Sequence, residues 1–221
     1  MSIMTTKEDY FRQRNASLKN ENRIVAAKRE IDTIKFILKE FFNFELSSGM
    51  KVLDLGSGDR FLKNEFEDRG ITYKDYDIND INFDIDKFND NDDEFDLIVS
   101  LAVLEHLENP NFFLNECKRV LKNDSCLYLS TPNLKYSKDT FWNDPTHVKP
   151  YTETSLKNIL LSEGFRDVEI LPNLRCKSRW WYEGRFRFFK AYYLLPFKGN
   201  AKFVPNFLKG KSSGLFAIGK K

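Results

Sequence analysis

The residues with the clearest chemical potential lie in segment 51–60, where an apolar stretch containing Asp54 runs into two glycines, Gly56 and Gly58. Glycine permits a tight turn and lets the backbone approach a ligand where a Cβ would clash. Another acid, Asp77, ends the next predicted strand. A strand, a glycine turn, a helix and a later acid that binds ribose hydroxyls make up the first half of a nucleotide-binding βαβ unit. This pattern indicates binding of an adenosine-containing cofactor.

The residues of the turn discriminate between two cofactor classes. A nicotinamide or flavin dinucleotide requires a small residue where this sequence has Phe61, so that the helix N-terminus can face the pyrophosphate. S-adenosylmethionine has no phosphate and carries a sulfonium and an ammonium group, which suit an acidic site. We therefore expect S-adenosylmethionine, with a dinucleotide oxidoreductase as the weaker alternative. The acids that favour it are Asp54, Asp59, Asp77 and Asp84.

General-base chemistry depends on the only two histidines of the chain. His106 follows a predicted strand and is either a base or a turn residue hydrogen-bonded near the cofactor. His147 precedes a predicted helix and either contacts the substrate or makes a structural hydrogen bond. Asp144 or Glu105 could orient an imidazole. Because the Asp and His residues are not clustered at ligand spacing, we predict no metal.

An alternation of strands and helices must position these residues. Apolar residues at three- and four-residue spacing predict a long helix over 22–43, and shorter helices follow at 60–69, from 109, and from 152. Residues 123–124 are predicted as a turn and residues 134–150 as a polar connection. This order predicts an α/β fold, doubly wound and mostly parallel, with helices on both faces. The predicted strands are 71–76, 94–100, 126–130, 168–171, 215–218 and the one that ends at the glycine turn.

Composition narrows the class of protein. The 221 residues have a formal net charge of +2, which does not indicate a nucleic-acid binder. Acids concentrate in 75–96, and basic residues concentrate after 173. Three cysteines without a CxxC pair favour a reducing compartment and exclude a disulfide framework. The polar N-terminus and the lack of a long apolar stretch predict a cytoplasmic protein.

Four motifs in order give the chain a resemblance to class I S-adenosylmethionine-dependent methyltransferases. The family's frequent third glycine is replaced by Arg60. The resemblance implies a Rossmann-like seven-stranded sheet in a single domain 1–221, with a helical cap at 1–45 and a basic aromatic insertion at 173–212. The motifs are 52–58, 76–78, 95–100 with 103–107, and 119–122 with 129–133.

The resemblance also implies the role of each cofactor residue. Asp77 would bind the ribose hydroxyls, and Ile78 would lie against the adenine. Asp84 and Ile85 match the position that contacts the adenine amino group, with Asp86 as the rival in an ambiguous register. The methionine end would be surrounded by Asp54, Gly56, Ser57 and Gly58, with Ser100 and the backbone of Leu101 and Ala102 under its ammonium group.

The methyl acceptor is indicated by segment 146–152 together with 163–165. These residues resemble methyltransferases of bacterial surface-polysaccharide and glycan synthesis, and quinone-type O-methyltransferases. Both groups methylate hydroxyls, so we expect O-methylation of a sugar or glycan precursor. The alternatives are a quinone-type or other small acceptor, and a cofactor-binding protein without catalysis. A small-molecule or glycan acceptor is the expected partner, with no nucleic acid.

Two terminal regions leave alternatives open. Aromatic and arginine residues in 179–196 could wall the acceptor pocket, form a dimer contact, or make a peripheral membrane contact at headgroup depth. Residues 1–20 could be a surface arm, or a lid that places an arginine near a carboxylate of the cofactor site.

Overall fold

The computed structural model of the protein describes residues 20–173, 192–199 and 201–221. The first 19 residues and most of the basic aromatic segment, including its predicted membrane contact, lie outside the described residues. The described residues form eight strands. They are β1 (Lys51–Leu55), β2 (Thr72–Tyr76), β3 (Phe95–Leu101), β4 (Leu121–Pro132), β5 (Arg166–Pro172), β6 (Phe197–Lys198), β7 (Lys209–Gly210) and β8 (Gly214–Lys220).

The main sheet has the strand order β2-β1-β3-β4-β8-β5, and β6 and β7 form a separate two-stranded sheet. Strands β2, β1, β3 and β4 are parallel to one another, whereas β8 runs antiparallel between β4 and β5. This topology confirms the mostly parallel α/β fold. Among the described residues the main sheet has six strands, one fewer than the seven expected. Residues 83–85 form a turn.

Five α-helices cover the sheet within the described residues. The predicted helix 60–69 shortens to five residues because Arg60 adopts a left-handed conformation, with φ +58°. The Asn109 side chain accepts the Phe112 amide at the start of the third helix, which has Pro110 at its first position. The helices are α1 (Asn20–Phe42), α2 (Lys63–Glu67), α3 (Pro110–Val120), α4 (Leu134–Ser137) and α5 (Glu153–Ser162).

The core is divided by the sheet into two layers. Val52 packs with the buried face of α1, which includes Ile31 and Ile34, whereas Leu53 faces a second cluster that includes Phe113 of α3. Successive strand residues point to opposite faces, so a strand buried on both sides needs a continuous apolar run. This explains why β1 is apolar on both faces apart from Asp54.

Two predictions for connecting segments were wrong. Residues 123–124 lie within β4, where the register against β3 shifts between the pairs Phe95–Leu121 and Leu97–Cys126. Asp124 has φ +61°, and this left-handed residue accompanies a β-bulge or irregularity within the strand, where a turn was predicted. The polar connection after β4 contains α4 and a 3₁₀ helix at Lys138–Asn143.

Most acids of segment 75–96 form ion pairs with basic side chains of the protein. Arg119 donates to Glu116, to Asp92 at 2.8 Å and to the carbonyls of Phe88 and Asp90, so it ties the acidic loop to α3. Five more cationic side chains pair with acids of this segment: Lys51–Glu94, Arg60–Asp75, Lys74–Asp90, Lys122–Asp96 and Lys221–Asp93. No helix of the described residues is long and apolar enough to cross a bilayer.

Candidate functional site

The glycine turn follows β1 in the chain and is hydrogen-bonded to the end of β2. The Gly56 amide donates to the Tyr76 carbonyl at 2.8 Å. Gly56 has φ +77° and Gly58 has φ +56°, a region that side-chain-bearing residues rarely adopt. A Cβ at Gly56 would lie 2.2 Å from Cγ2 of Val103. The turn therefore packs closely against the segment that follows β3, and position 56 requires glycine.

Asp54 is the buried acid of the site. Its side chain comes from β1, the residue is 2% exposed, and Tyr73 of β2 donates a 2.7 Å hydrogen bond to Oδ2. Burial raises the pKa of Asp54 to about 7, the Tyr73 hydrogen bond opposes this, and the neighbouring acids Asp75, Asp77 and Asp59 add to it. A bound cation would therefore favour the ionised form of Asp54.

The predicted ribose acid lies beside the turn. Asp77 accepts hydrogen bonds from the amides of Ile78 and Gly58. Burial raises the pKa of Asp77, and these two amides oppose the rise. The structure therefore brings together Asp77, Ile78 and the glycine turn, as the sequence predicted, although their roles toward a cofactor stay predictions.

Two acids near the glycine turn pair with other side chains of the protein. Asp59, expected to face the cationic cofactor, pairs with Arg23 of α1 at 2.6 Å. Asp75 accepts from the Ser57 hydroxyl at 2.8 Å and from Arg60 at 2.7 Å. Sequence reasoning missed both pairings. An arginine does meet a carboxylate here, but it comes from α1, within the predicted cap.

The predicted adenine contacts occupy a turn near the start of α3. The Asp84 carboxylate accepts a 2.7 Å hydrogen bond from the backbone amide of Asn109, which links this turn to the N-terminal cap of α3. Asp86 accepts the Asn82 amide at 2.8 Å. Ile85 is 70% exposed. Asp84 and Asp86 each hold the local backbone, so neither is favoured over the other as the adenine contact, and the assignment stays a prediction.

The end of β3 lies between the glycine turn and the two histidines. The Ser100 hydroxyl is buried and donates to the Leu55 carbonyl at 3.0 Å, which joins β3 to β1 beside the turn. Leu101 ends β3. Ala102 then adopts φ +58°, and its amide donates to the Ser130 carbonyl at 2.9 Å. This reversal directs the following residues toward β4, and no sequence signal marks it, because alanine does not favour a positive φ.

The two histidines meet, with ring centroids 4.7 Å apart. His106 Nδ1 lies 3.1 Å from the Thr146 carbonyl oxygen, and His147 Nδ1 lies 2.6 Å from the Phe141 carbonyl oxygen. A carbonyl can only accept, so the neutral imidazoles carry their proton on Nδ1 and their lone pair on Nε2. The Thr146 hydroxyl, which donates to Asp144, also lies 3.0 Å from His106 Nδ1. Backbone carbonyls therefore orient the imidazoles.

Carboxylates flank the two Nε2 atoms. Glu105 Oε1 lies 4.0 Å from His106 Nε2, and Asp144 Oδ2 lies 3.9 Å from His147 Nε2. Asp144 also accepts from the Thr146 hydroxyl and amide. Burial raises the pKa of Asp144, but these hydrogen bonds outweigh it and the net pKa is lowered. Asp144 and Glu105 each lie beside one imidazole, on its Nε2 side, so an orienting role for either stays a prediction.

Glu105 is the residue whose position sequence reasoning underestimated. It is 1% exposed, Thr131 of β4 donates to its Oε2 at 3.0 Å, and its backbone carbonyl accepts two amides of the 146–152 segment. Ligand atoms of Glu105, His106 and His147 all lie within 4.8 Å of one another. The expectation that acid and histidine side chains are not clustered was therefore wrong about their positions.

A cavity of about 520 Å³ lies near this cluster. Its described lining includes Ala102, which follows β3, and Thr131, which donates to Glu105, but not Glu105 or the two histidines. Hydroxyl and amide side chains occur in the lining together with apolar surface: the residues are Ala102, Ser130, Thr131, Pro132, Asn173, Gly199, Ser212, Ser213, Gly214 and Leu215. The carboxyl ends of parallel strands are the usual ligand position in open α/β sheets.

Two curated proteins are similar to parts of this chain. A probable S-adenosylmethionine-dependent methyltransferase of Mycobacterium tuberculosis is 38% identical over 80 residues, which cover 35% of this chain and 29% of that protein. A ubiquinone biosynthesis O-methyltransferase of Glaesserella parasuis is 44% identical over 41 residues, 19% of this chain and 17% of that protein. The chain thus matches less than a third of the length of these curated relatives.

The solved structure of a SAM-dependent methyltransferase from Archaeoglobus fulgidus superposes with a TM-score of 0.60 at 22% identity, covering 98% of this chain and 100% of that one. This likeness supports the fold. A family model described as a methyltransferase domain matches residues 23–170, from α1 into β5, which include the glycine turn and the histidine cluster. The chain therefore belongs to the methyltransferase-domain family and has the fold of the class I S-adenosylmethionine-dependent methyltransferases.

Proposed function

We propose that this protein transfers the methyl group of S-adenosylmethionine to a hydroxyl of a sugar or glycan precursor. The residues fit the cofactor, because the glycine turn with Gly56 and Gly58 lies beside two acids, the buried Asp54 and the half-buried Asp77, which suit a cationic ligand. When bound, S-adenosylmethionine supplies the methyl group from a cationic sulfonium. What remains for the chain is to hold the acceptor in line and to remove the hydroxyl proton.

The observation that carries the hydroxyl acceptor is the pair of oriented imidazoles. A hydroxyl becomes a better nucleophile when a base within hydrogen-bond reach takes its proton. His147 is the less buried of the two histidines, and the Phe141 carbonyl holds its Nδ1 proton, which leaves Nε2 to accept. Asp144, 3.9 Å from that Nε2, stabilises the imidazolium that forms.

The sugar class is supported by the wall of the 520 Å³ cavity. The hydroxyl and amide side chains of Ser130, Thr131, Asn173 and Ser212 match the many hydroxyls of a sugar. The local identity to a ubiquinone biosynthesis O-methyltransferase favours a second candidate, a phenolic hydroxyl. Membrane contact by the basic aromatic segment would accompany a lipid-linked acceptor.

The test is methyl transfer from S-adenosylmethionine to a panel of nucleotide sugars, free glycans and catechols, measured as S-adenosylhomocysteine and as methylated product by mass spectrometry. We expect an O-methylated sugar. Turnover on catechols alone would support the phenolic acceptor and contradict the sugar. Calorimetric binding of S-adenosylmethionine with no turnover on any hydroxyl would contradict catalysis and support the cofactor-binding alternative.

The base is tested with His147→Asn, in which the amide can retain the donor to Phe141 while the Nε2 lone pair is lost. We expect at least a tenfold loss of kcat with S-adenosylmethionine binding unchanged. Equal turnover would exclude His147 as the base.

A further inference from the structure

The cluster of Glu105, His106 and His147 has the composition and the hydrogen-bonded support of a divalent metal site. Two imidazoles and one carboxylate are a common set of protein ligands for catalytic zinc, which keeps its fourth position for water or substrate. In the part of the chain that the structure describes, the three ligand atoms lie within 4.8 Å of one another. From this arrangement we propose that the cluster binds Zn²⁺ through Glu105 Oε1, His106 Nε2 and His147 Nε2.

The separation of the ligand atoms suits a cation. Zinc bonds of about 2.1 Å at tetrahedral angles place neighbouring ligand atoms about 3.4 Å apart. Glu105 Oε1 and His106 Nε2 are 4.0 Å apart. The three ligand atoms lie at most 4.8 Å apart, so side-chain movements of up to about an ångström would complete the site. At 4.0 Å the pair is outside the distance of a normal hydrogen bond, so the spacing fits a bridging cation better than a direct contact.

The second argument is the support around each ligand. Metal-binding histidines usually donate the proton of the other ring nitrogen to a carbonyl or a carboxylate, which fixes the tautomer and the ring. Both histidines do this, His106 toward the Thr146 carbonyl and His147 toward the Phe141 carbonyl. Glu105 accepts the Thr131 hydroxyl on Oε2, and its Oε1 lies 4.0 Å from His106 Nε2.

A metal here would deepen the proposed function, on which its catalytic consequence rests. A hydroxyl bound at the open position would lose its proton more easily, because zinc lowers the pKa of a bound oxygen. With both Nε2 atoms bound to metal, neither imidazole would accept the proton, so the metal-bound hydroxyl would release it to water, and His147 would act as the base only in the metal-free protein. The metal-loaded and metal-free proteins should therefore differ in the pH dependence of methyl transfer.

Other metal-binding groups are distinguishable from this cluster. Burial raises the pKa of Cys126 to about 12 and the pKa of Cys117 well above its ordinary value, which disfavours their thiolates as ligands. Cys176 lies outside the described residues, so a Cys176→Ser protein serves as a control. Asp92, exposed on the acidic loop, provides Asp92→Asn as the control for weak binding to surface acids.

The experiment titrates Zn²⁺ into the tag-free, metal-stripped full chain by calorimetry, with Co²⁺ as a spectroscopic probe. We expect one equivalent to bind, and we expect His106→Asn, His147→Asn and Glu105→Gln each to lose at least tenfold in affinity, because each removes a ligand while it can retain the supporting hydrogen bond. Asp92→Asn and Cys176→Ser should bind as the wild type does. Circular dichroism and S-adenosylmethionine binding show that each variant is folded.

The outcomes separate this proposal from the methyl-transfer proposal. No zinc binding, equal binding by the three ligand variants, or a cobalt spectrum with thiolate charge transfer would overturn the metal site, even if methyl transfer proceeds in a chelator. Zinc binding that depends on the cluster would support the site, even if no hydroxyl acceptor is methylated.

Discussion

Tyr73 donates a 2.7 Å hydrogen bond to Asp54, and through it the second strand of the sheet supports the buried acid of the first. Burial raises the pKa of Asp54 to about 7, and the Tyr73 bond limits the rise. The site therefore contains a carboxyl group whose charge changes near neutral pH, next to the proposed position of a cationic cofactor.

This relationship predicts pH-dependent cofactor binding. A bound cation favours the ionised carboxylate, so the affinity for S-adenosylmethionine should rise by about tenfold from pH 6 to pH 8 if the ionised form alone binds. Asp54→Asn should abolish that rise, and Tyr73→Phe should move its midpoint to higher pH. Calorimetry at several pH values measures this, and a pH-independent affinity in the wild type would contradict the assignment of Asp54.

The same group predicts how stability depends on pH. The folded protein retains a proton on Asp54 that the unfolded chain has already lost, so this group's contribution makes the free energy of unfolding fall as pH rises from about 4 to about 7. Comparing urea denaturation of the wild type and Asp54→Asn across this range isolates the contribution. A difference between the two proteins that does not vary with pH would show that Asp54 titrates normally.

Gly56 and Gly49 form a matched pair for testing the turn. Both have positive φ, +77° and +85°, but a Cβ at Gly56 would lie 2.2 Å from Val103 whereas one at Gly49 has nothing within 4 Å. Gly49→Ala should cost about 1 kcal/mol from backbone strain. Gly56→Ala should cost about 1–3 kcal/mol more from the clash, and it should weaken cofactor binding.

Urea denaturation measures both costs. Adding Val103→Ala to Gly56→Ala relieves the clash and should recover part of the difference. Equal costs at the two glycines would show that the close approach of Val103 does not constrain the turn.

Arg119 lies in one of the family motifs, and we expect it to have a structural role. Because it makes several charge-assisted hydrogen bonds between α3 and the acidic loop, Arg119→Met should lower the free energy of unfolding by about 1–3 kcal/mol. Lys122→Met, which removes a more exposed pair with Asp96, should cost less than about 1 kcal/mol. Arg119→Lys should restore little, since an ammonium lacks the planar fork. Similar melting temperatures for the two methionine variants would refute this ranking.

Thr131 tests the support of Glu105 from β4. Thr131→Val keeps the shape of the side chain but removes the donor to a buried carboxylate, which should cost about 1–3 kcal/mol of stability and reduce methyl transfer. Thr72→Val, on an exposed position of β2, is the control and should change neither. Unchanged turnover in Thr131→Val would separate this hydrogen bond from catalysis.

Much of the fold could be predicted because its signals are local. Apolar runs bounded by turn residues located the six strands of the main sheet, and the glycines and Phe61 favoured a cofactor without phosphate. The bulge in β4 was missed, because the polar residues 123–124 resemble those of a turn. The pairing of Asp59 with Arg23 was missed because two charges of opposite sign, far apart in the chain, carry no signal that they meet.

By itself the sequence determined the order of elements, the glycine turn with Asp54 and Asp77, and the family, since these depend on spacing between nearby residues. Tertiary structure alone decided that Glu105 and His106 meet His147 and Thr131. These residues follow neighbouring parallel strands, whose carboxyl ends lie at one edge of the sheet. Whether acids and histidines form one site depends on strand order and on single backbone reversals such as Ala102, which no periodicity in the sequence encodes.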